Sequence, residues 1–449
     1  MAPRLERFVS PGKGNGLRAT ARIKPGELVY SAEPLACCVS NKVSREVCHH
    51  CFSRNNRETV CVQEMSRREA LLRCSQCKMA RYCNTICQKQ AWPDHKRECK
   101  CLRSLLPRIP TDSVRLAARL IFALLNPSKS SSEELYTLEE HESHLSSVSE
   151  QKKQGLSQLA SMLELYLQQE VPDLAQEITS ALPPSCREPL NLIAKVTCNC
   201  FTISDGELQE IGVGLYPSLS LLNHDCRPNC VMVFEGTKLH LRAVRDIKPE
   251  EELTISYIET LSLTEDRQRQ LEDQYHFICH CQHCDSQDKD GLMLSGGEST
   301  WRLLKEALPR LEALKAESSW QTLLQSCSHL LSTVDGDVPD ENLYKLRMTD
   351  MAVDASIHLG HWREAVGYGE KTLPVYRQYY PDPHPVHGVQ LMRVGKLQHY
   401  LEHIEDALDT FKQAYQIIKL THGDDHPMTT DLLMKMEECR TEMDQQSSG

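Results

Sequence analysis

The sequence predicts an α+β protein. A strand-rich body is interrupted by a metal-bound cysteine segment and a helical insert, and an all-helical C-terminal region follows. Three observations predict it. Eleven of the 21 cysteines fall between Cys37 and Cys101 and eight between Cys186 and Cys284. Short β-leaning runs punctuated by Gly and Pro turns occupy residues 1–40 and 211–260. From about residue 295 the apolar period is helical to the end. A chain of 449 residues is too long for one hydrophobic core, and its 40% hydrophobic and 25% charged residues exclude a largely disordered one. No apolar run nears the roughly 20 residues of a membrane span, and the start Met1-Ala2-Pro3-Arg4 lacks the apolar stretch of a secretory signal. A reducing compartment is therefore expected, where clustered thiolates hold metal more often than they form disulfides.

Residues 1–47 open the body. Ser10-Pro11-Gly12-Lys13-Gly14-Asn15-Gly16 is a glycine-dense loop, and Lys24-Pro25-Gly26-Glu27 is a turn before Leu28-Val29-Tyr30. Residues 48–99 carry Cys48-x2-Cys51, Cys74-x2-Cys77, Cys83-x3-Cys87 and His95-x3-Cys99. Eight soft ligands at these spacings make two tetrahedral zinc sites, with the x3 pairs expected one helical turn apart. So polar a segment has little core of its own, so the metals supply its folding free energy. The stretch from Phe52 to Arg73 holds an extra Cys61 and reads as a looped-out insertion, with Cys61 as a competing ligand the alternative. Residues 100–185 form the helical insert, with Val114, Leu116, Leu120, Ile121 and Leu124, then Leu163, Tyr166 and Leu167, at helical spacing. Pro127–Ser132 between them reads as a loop.

Residues 186–260 return to strands. Val231-Met232-Val233-Phe234, the turn Glu235-Gly236, and Leu239-His240-Leu241 make a hairpin, and Lys248-Pro249-Glu250-Glu251 turns into Leu253-Thr254-Ile255. In residues 261–290, Cys279-His280-Cys281-x2-Cys284 provides three thiolates for a third zinc. Cys226 is the best candidate for the fourth ligand; His280, His283 and, more weakly, Cys230 are alternatives. Residues 291–449 contain a repeat. Leu359 and Ala365 recur as Leu401 and Ala407, and His384-Pro385 recurs as His426-Pro427, both at an offset of 42. Stacked helix pairs, in the manner of a tetratricopeptide array, produce such offsets.

Charge is uneven. Residues 41–100 hold 13 Lys/Arg against 6 Asp/Glu, and residues 291–449 hold 15 against 24. The basic segment suits acidic partners and the acidic one basic partners.

The finger, closed by Gln88-Lys89-x-Ala91-Trp92-x-x-His95-Lys96-x-x-Cys99, resembles the MYND zinc finger. Asn223-His224-x-Cys226-x-Pro228-Asn229 and Glu251-Glu252-Leu253-Thr254-Ile255-Ser256-Tyr257 resemble the two core motifs of SET-domain lysine methyltransferases. Gly14-Asn15-Gly16-Leu17 is similar to the family's cofactor loop and Cys279-x-Cys281-x2-Cys284 to its post-SET element. A MYND finger inserted ahead of the Asn-His motif marks the SET-and-MYND family, whose motifs cover nearly the whole chain.

The resemblance implies an S-adenosylmethionine-dependent protein-lysine N-methyltransferase. The finger's ligands would interleave, with Cys48, Cys51, Cys83 and Cys87 on one zinc and Cys74, Cys77, His95 and Cys99 on the other. A third zinc would sit on Cys226, Cys279, Cys281 and Cys284. Carried over by resemblance as cofactor contacts are Lys13, Gly14, Asn15, Tyr136, Asn199, Ser220, Leu222, Asn223, His224, Tyr257 and Phe277; His144 is left out. Tyr257 would be catalytic, and Phe201, Tyr257 and Tyr275 would line a lysine channel. Implied partners are histone tails and signalling kinases as substrates, a heat-shock chaperone tail at the helical region, and DNA or proline-rich peptides at the finger. The chain is expected to be a monomer without membrane attachment, in cytoplasm and nucleus. The competing reading is a non-catalytic adaptor or transcription regulator, which could have lost Tyr257 or the Asn223-His224 pair. This chain keeps both.

Overall fold

The computed structural model describes residues 4–54, 70–126, 135–168 and 182–447. Cys61 and the Pro127–Ser132 loop lie outside the described residues. The strands gather in several small sheets. β1 (Leu5–Ser10) and β2 (Gly14–Ala19) form a hairpin in which Ser10 pairs with Gly14. Its turn holds Gly12 and Gly14 at φ of 74° and 78°, a region other residues enter only with strain. β3 (Leu28–Ala32) joins the hairpin of β10 (Cys230–Glu235) and β11 (Lys238–Ala243) in one antiparallel sheet. A second sheet has the order β4 (Ala36–Val39), β8 (Glu210–Leu215), β7 (Phe201–Ser204). Leu17, Ile23, Leu239, Leu241, Ile247 and Leu253 are fully buried in their shared core.

One short pairing decides where the chemistry sits. β9 (Asn223–His224) runs parallel to β12 (Thr254–Ile255), with Asn223 opposite Thr254 and His224 opposite Ile255. On the other side, the Leu253 N–H donates to the Leu17 carbonyl at 2.8 Å and the Ala19 N–H to the Glu251 carbonyl at 2.9 Å. Residues 251–257 therefore thread between the glycine loop and the Asn-His segment.

The finger contains the short hairpin β5 (Leu72–Arg73) and β6 (Arg81–Tyr82), then α1 (Thr85–Leu105). Asn84 caps this helix, its side chain accepting from the amides of Ile86 and Cys87 at 2.9 Å each. Cys83 thus precedes the cap, outside the helix. The expectation that Cys83 and Cys87 share a helical turn is corrected, while His95 and Cys99 do share one. In α2 (Asp112–Leu124), Arg115 and Arg119 converge on Glu98 of α1 at 3.0 and 2.7 Å. Burial opposes ionisation of Glu98, but the two guanidiniums outweigh it and hold its carboxyl well below the usual range. Arg115 also donates to the Val39 carbonyl at 2.8 Å, so a buried ion triad fastens the finger helix to the body. α3 (Glu150–Leu167) and α4 (Pro189–Asn199) complete the insert, and α5 (Thr264–Tyr275), α6 (Gln282–Ser286) and α7 (Asp290–Met293) follow the strands.

The C-terminal region is all helix: α8 (Glu298–Ala316), α9 (Trp320–Val334), α10 (Leu343–His358), α11 (Trp362–Tyr379), α12 (Pro385–Tyr400), α13 (Ile404–Thr421) and α14 (Pro427–Ser447). The sequence repeat marks helix starts. His384 accepts from the Val386 amide and His426 from the Met428 amide, each through Nδ1 at 3.2 Å. Asn342, another 42 residues upstream of His384, caps α10 in the same way by accepting from the Tyr344 amide at 3.0 Å. The array therefore has one more copy than the His-Pro dipeptides reveal. Gly395 lets α12 and α13 approach closely, since a Cβ there would lie 2.7 Å from the Phe411 ring. Phe411→Ala would empty this fully buried site; a loss of about 3–5 kcal/mol in chemical denaturation is expected. No described helix is long and apolar enough to cross a membrane.

The array packs on the strand body. Leu420 lies against Gly26, Arg242 donates to the Gly26 carbonyl at 3.0 Å, and a Cβ on Gly423 would lie 2.2 Å from Arg242.

Candidate functional site

Among the described residues, three groups of ligating side chains converge: Cys48, Cys51, Cys83 and Cys87; Cys74, Cys77, His95 and Cys99; and Cys226, Cys279, Cys281 and Cys284. A tetrahedral zinc about 2.3 Å from each sulfur needs sulfurs about 3.8 Å apart. Cys51 and Cys83 lie 3.6 Å apart, Cys74 and Cys99 3.7 Å, Cys226 and Cys284 3.5 Å. The His95 Nε2 is 3.5 Å from the Cys77 sulfur. The donor sets fit zinc, and the finger's ligands interleave as expected. Among the open alternatives Cys226 completes the third set. Cys230 is buried in β10 opposite Ala243, His283 is engaged by Asp288 at 2.9 Å, and His280 is exposed.

The first finger cluster is the outer one, with Cys83 exposed, whereas all four ligands of the second are buried. Cys83→Ser should release one of the finger's zincs and leave most activity on short peptides. Metal analysis beside a peptide assay checks this, and total loss of activity in a soluble, cofactor-binding variant would overturn it.

Around β9 and β12 the predicted residues assemble. His224 is buried, and its Nδ1 accepts the Tyr257 N–H at 3.0 Å. A backbone N–H can only donate, so the ring proton belongs on Nε2, which lies 3.3 Å from the Cys226 sulfur. Burial pushes His224 down to about 4, leaving it neutral at pH 7. A thiolate of the third cluster, a fixed imidazole and the Tyr257 backbone are thereby connected in series. The Tyr257 hydroxyl donates to the Leu222 carbonyl, and burial raises it above the ordinary phenol range, so it keeps its proton.

Tyr275 lies 4.8 Å from the Tyr257 ring and Phe277 stands edge-on to it at 6.2 Å. Burial pushes Tyr275 up to about 12, with Cys200 and Cys198 adding to the rise. Phe201, next to Cys200, packs edge-on to Tyr216 at 5.7 Å. His144, left out of the predicted set, meets His276, the residue between Tyr275 and Phe277 in sequence, at 4.9 Å.

The glycine loop closes the other side. The Asn223 amide donates to the Asn15 carbonyl at 3.1 Å and to Glu252 at 2.8 Å. Lys13 lies 3.5 Å from Glu252, and a Cβ on Gly16 would lie 2.9 Å from the Glu252 carboxylate. Gly14, by contrast, faces open space. Tyr136 is buried, stacked on His141 at 4.4 Å and donating to the Glu140 carbonyl at 2.9 Å. Asn199 donates to the carbonyls of Glu142 and Lys195 at 2.9 and 2.8 Å. Leu222 is buried, and the Ser220 hydroxyl reaches the Tyr216 carbonyl at 3.4 Å.

Sequence reasoning missed Arg7, Glu140, His141 and any role for Glu252. Glu252 stood inside a quoted motif, and its spacing after the Pro249 turn was the available signal. Arg7 and Glu140 carry no local signal.

Comparison with known proteins agrees with this geometry. The model of the SET domain matches residues 14–258. Human "Histone-lysine N-methyltransferase SMYD3" is 45% identical over 97% of both chains, and its mouse counterpart is 45% identical over 98% of both. Chicken "N-lysine methyltransferase SMYD2" is 32% identical over 97% of both. Similarity at that level, carried through finger, strands and helical array alike, shows that the chain belongs to the SET-domain family, among the SMYD lysine methyltransferases.

Proposed function

We propose that the chain is an S-adenosylmethionine-dependent protein-lysine N-methyltransferase in which Tyr257 is the catalytic residue. The observation that carries this reading is the Tyr257 hydroxyl, protonated, half-buried and held on the Leu222 carbonyl beside Tyr275, with its backbone fixed by His224. When bound, S-adenosylmethionine supplies a methyl group already activated as a sulfonium, for in-line passage to a neutral lysine amine. Lys13, Gly14, Asn15, Asn223 and His224 would hold it together with Tyr136, Asn199, Ser220, Leu222 and Phe277. The fit rests on the glycine cradle, where Gly14 leaves room that Gly16 does not.

The remaining work falls to alignment and exclusion of water. Phe201, Tyr257 and Tyr275 would form an apolar sleeve for the lysine stem, favouring the neutral amine by desolvation. Their ring faces would tolerate a methylated, charged product. Tyr257 retains oxygen lone pairs to orient methyl and amine without carrying charge.

The acidic excess of residues 291–449, 24 against 15, supports basic substrates such as histone tails, with cytosolic signalling kinases as a second class. As the family resemblance implies, the finger would recruit DNA or proline-rich peptides, and the array would accept a chaperone tail. A monomer shared between cytoplasm and nucleus fits these roles. Labelled S-adenosylmethionine incubated with a histone mixture and with proteome fractions tests the reading. Label on lysine supports it; an intact, cofactor-binding protein that labels no histone or proteome fraction would favour an adaptor.

A further inference from the structure

Arg7, on β1, reaches two segments far apart in sequence. Its Nε donates to the Asn15 side-chain oxygen at 3.3 Å. Its Nη1 donates to the Leu135 carbonyl at 3.1 Å, across 128 residues, and to the Glu140 carboxylate at 2.8 Å. The guanidinium carbon also lies 5.4 Å from the centre of the Tyr136 ring. Glu140 completes the connection from the far side. Its carboxylate accepts from the Thr137 amide and hydroxyl at 2.9 and 3.0 Å, while its carbonyl receives the Tyr136 hydroxyl. Hydrogen bonds from the Thr137 amide and Arg7 push Glu140 down to about 2, so it is ionised at pH 7.

We infer that Arg7 and Glu140 form a clasp that sets the gap between the glycine loop and the 135–140 loop, and so positions Asn15 and Tyr136 for the cofactor. The inference rests on the reading of those two residues as cofactor contacts. Arg7 is a positioning residue, acting through its neighbours. With side chains 31% and 40% exposed, the pair is a weak contributor to overall stability, so its effect should appear in binding. Lysine at position 7 keeps the charge but lacks the planar fork that serves Asn15, Leu135 and Glu140 at once.

Full-length zinc-loaded protein is titrated calorimetrically with S-adenosylmethionine and with S-adenosylhomocysteine, comparing wild type with Arg7→Ala, Arg7→Lys, Glu140→Gln and the Arg7→Ala/Glu140→Gln double variant. Arg7→Ala should weaken both ligands by about five- to tenfold, as loss of a partly exposed charge-assisted network implies. The cofactor KM should rise in step, with kcat at saturation within about twofold of wild type, because the chemistry is untouched. Arg7→Lys should fall between, and the double variant should be no worse than Arg7→Ala, since both changes open one clasp.

Wild-type affinity in Arg7→Ala, or effects that multiply in the double variant, overturns the clasp. A loss confined to S-adenosylmethionine also overturns it, because the clasp would act on the parts that both ligands share. Asn15→Ala and Tyr136→Ala separate the two readings: if neither weakens cofactor, the cofactor assignment fails and takes the clasp with it. If Arg7→Ala melts early or loses zinc, Arg7→Lys carries the same test, and wild-type affinity there with normal KM overturns the clasp.

Discussion

Tyr257→Phe should lower turnover by at least about a hundredfold, the range for deleting one preorganised polar group at a reacting centre. The substitution removes only an oxygen. That oxygen donates to the Leu222 carbonyl, and the ring that carries it packs against Tyr275 and Phe277. The phenylalanine ring keeps those packing contacts, and the backbone N–H that holds His224 is unchanged. Zinc content and melting temperature should therefore match wild type, with cofactor affinity altered by only about threefold, as for a modest polar contact. Methyl transfer to a peptide, measured beside cofactor titration, checks the split. Turnover at the wild-type rate would make Tyr257 a packing residue and remove the proposed mechanism.

Cys281→Ala should have an equally large effect, although Cys281 belongs to neither the lysine channel nor the cofactor set. It would lose one zinc, weaken S-adenosylmethionine binding by about tenfold or more, and bring turnover to background, since residues behind a metal ligand depend on it for orientation. The path is explicit. Cys281 shares its cluster with Cys226, whose sulfur faces His224 Nε2, while His224 Nδ1 holds the Tyr257 amide. From the same cluster, Cys279 lies two residues after Phe277, and its amide is held by Gln268 of α5 at 2.8 Å. Both walls of the channel would loosen together. Metal analysis with calorimetric titration decides it: a variant lacking that zinc yet binding cofactor normally would show the cluster to be a remote staple.

Legibility in the sequence followed distance along the chain. The finger ligands were readable because zinc imposes short local spacings, and their pairing needed only the family pattern. Even there, the geometry of Cys83 depended on Asn84, which starts the helix one residue later than spacing implied. The third cluster's fourth ligand stayed open because Cys226 and Cys279 are joined only by folding. Asn223, His224 and Tyr257 were legible as motif residues, but the tautomer of His224 was not, since it follows from which atoms face each nitrogen. Arg7 and Glu140 were invisible for the same reason, whereas Glu252 was quoted in a motif and its role went unread. In the array, a His-Pro search missed Asn342 because a different side chain performs the same capping.

The array's spacing has one more consequence. Free solenoids lengthen and shorten by whole units, because each unit touches only its neighbours. Here successive capping positions have acquired outside attachments. His384 stacks on Tyr380 at 4.3 Å, and the Tyr380 hydroxyl donates to Glu259, two residues beyond Tyr257, at 2.9 Å. His426, one unit later, donates from Nε2 to the Phe234 carbonyl of β10 at 3.2 Å. Two anchors one period apart turn the array into a ruler laid against the body. Inserting or deleting a unit between them would move the second anchor off its strand, so the number of units is fixed by the body they are attached to.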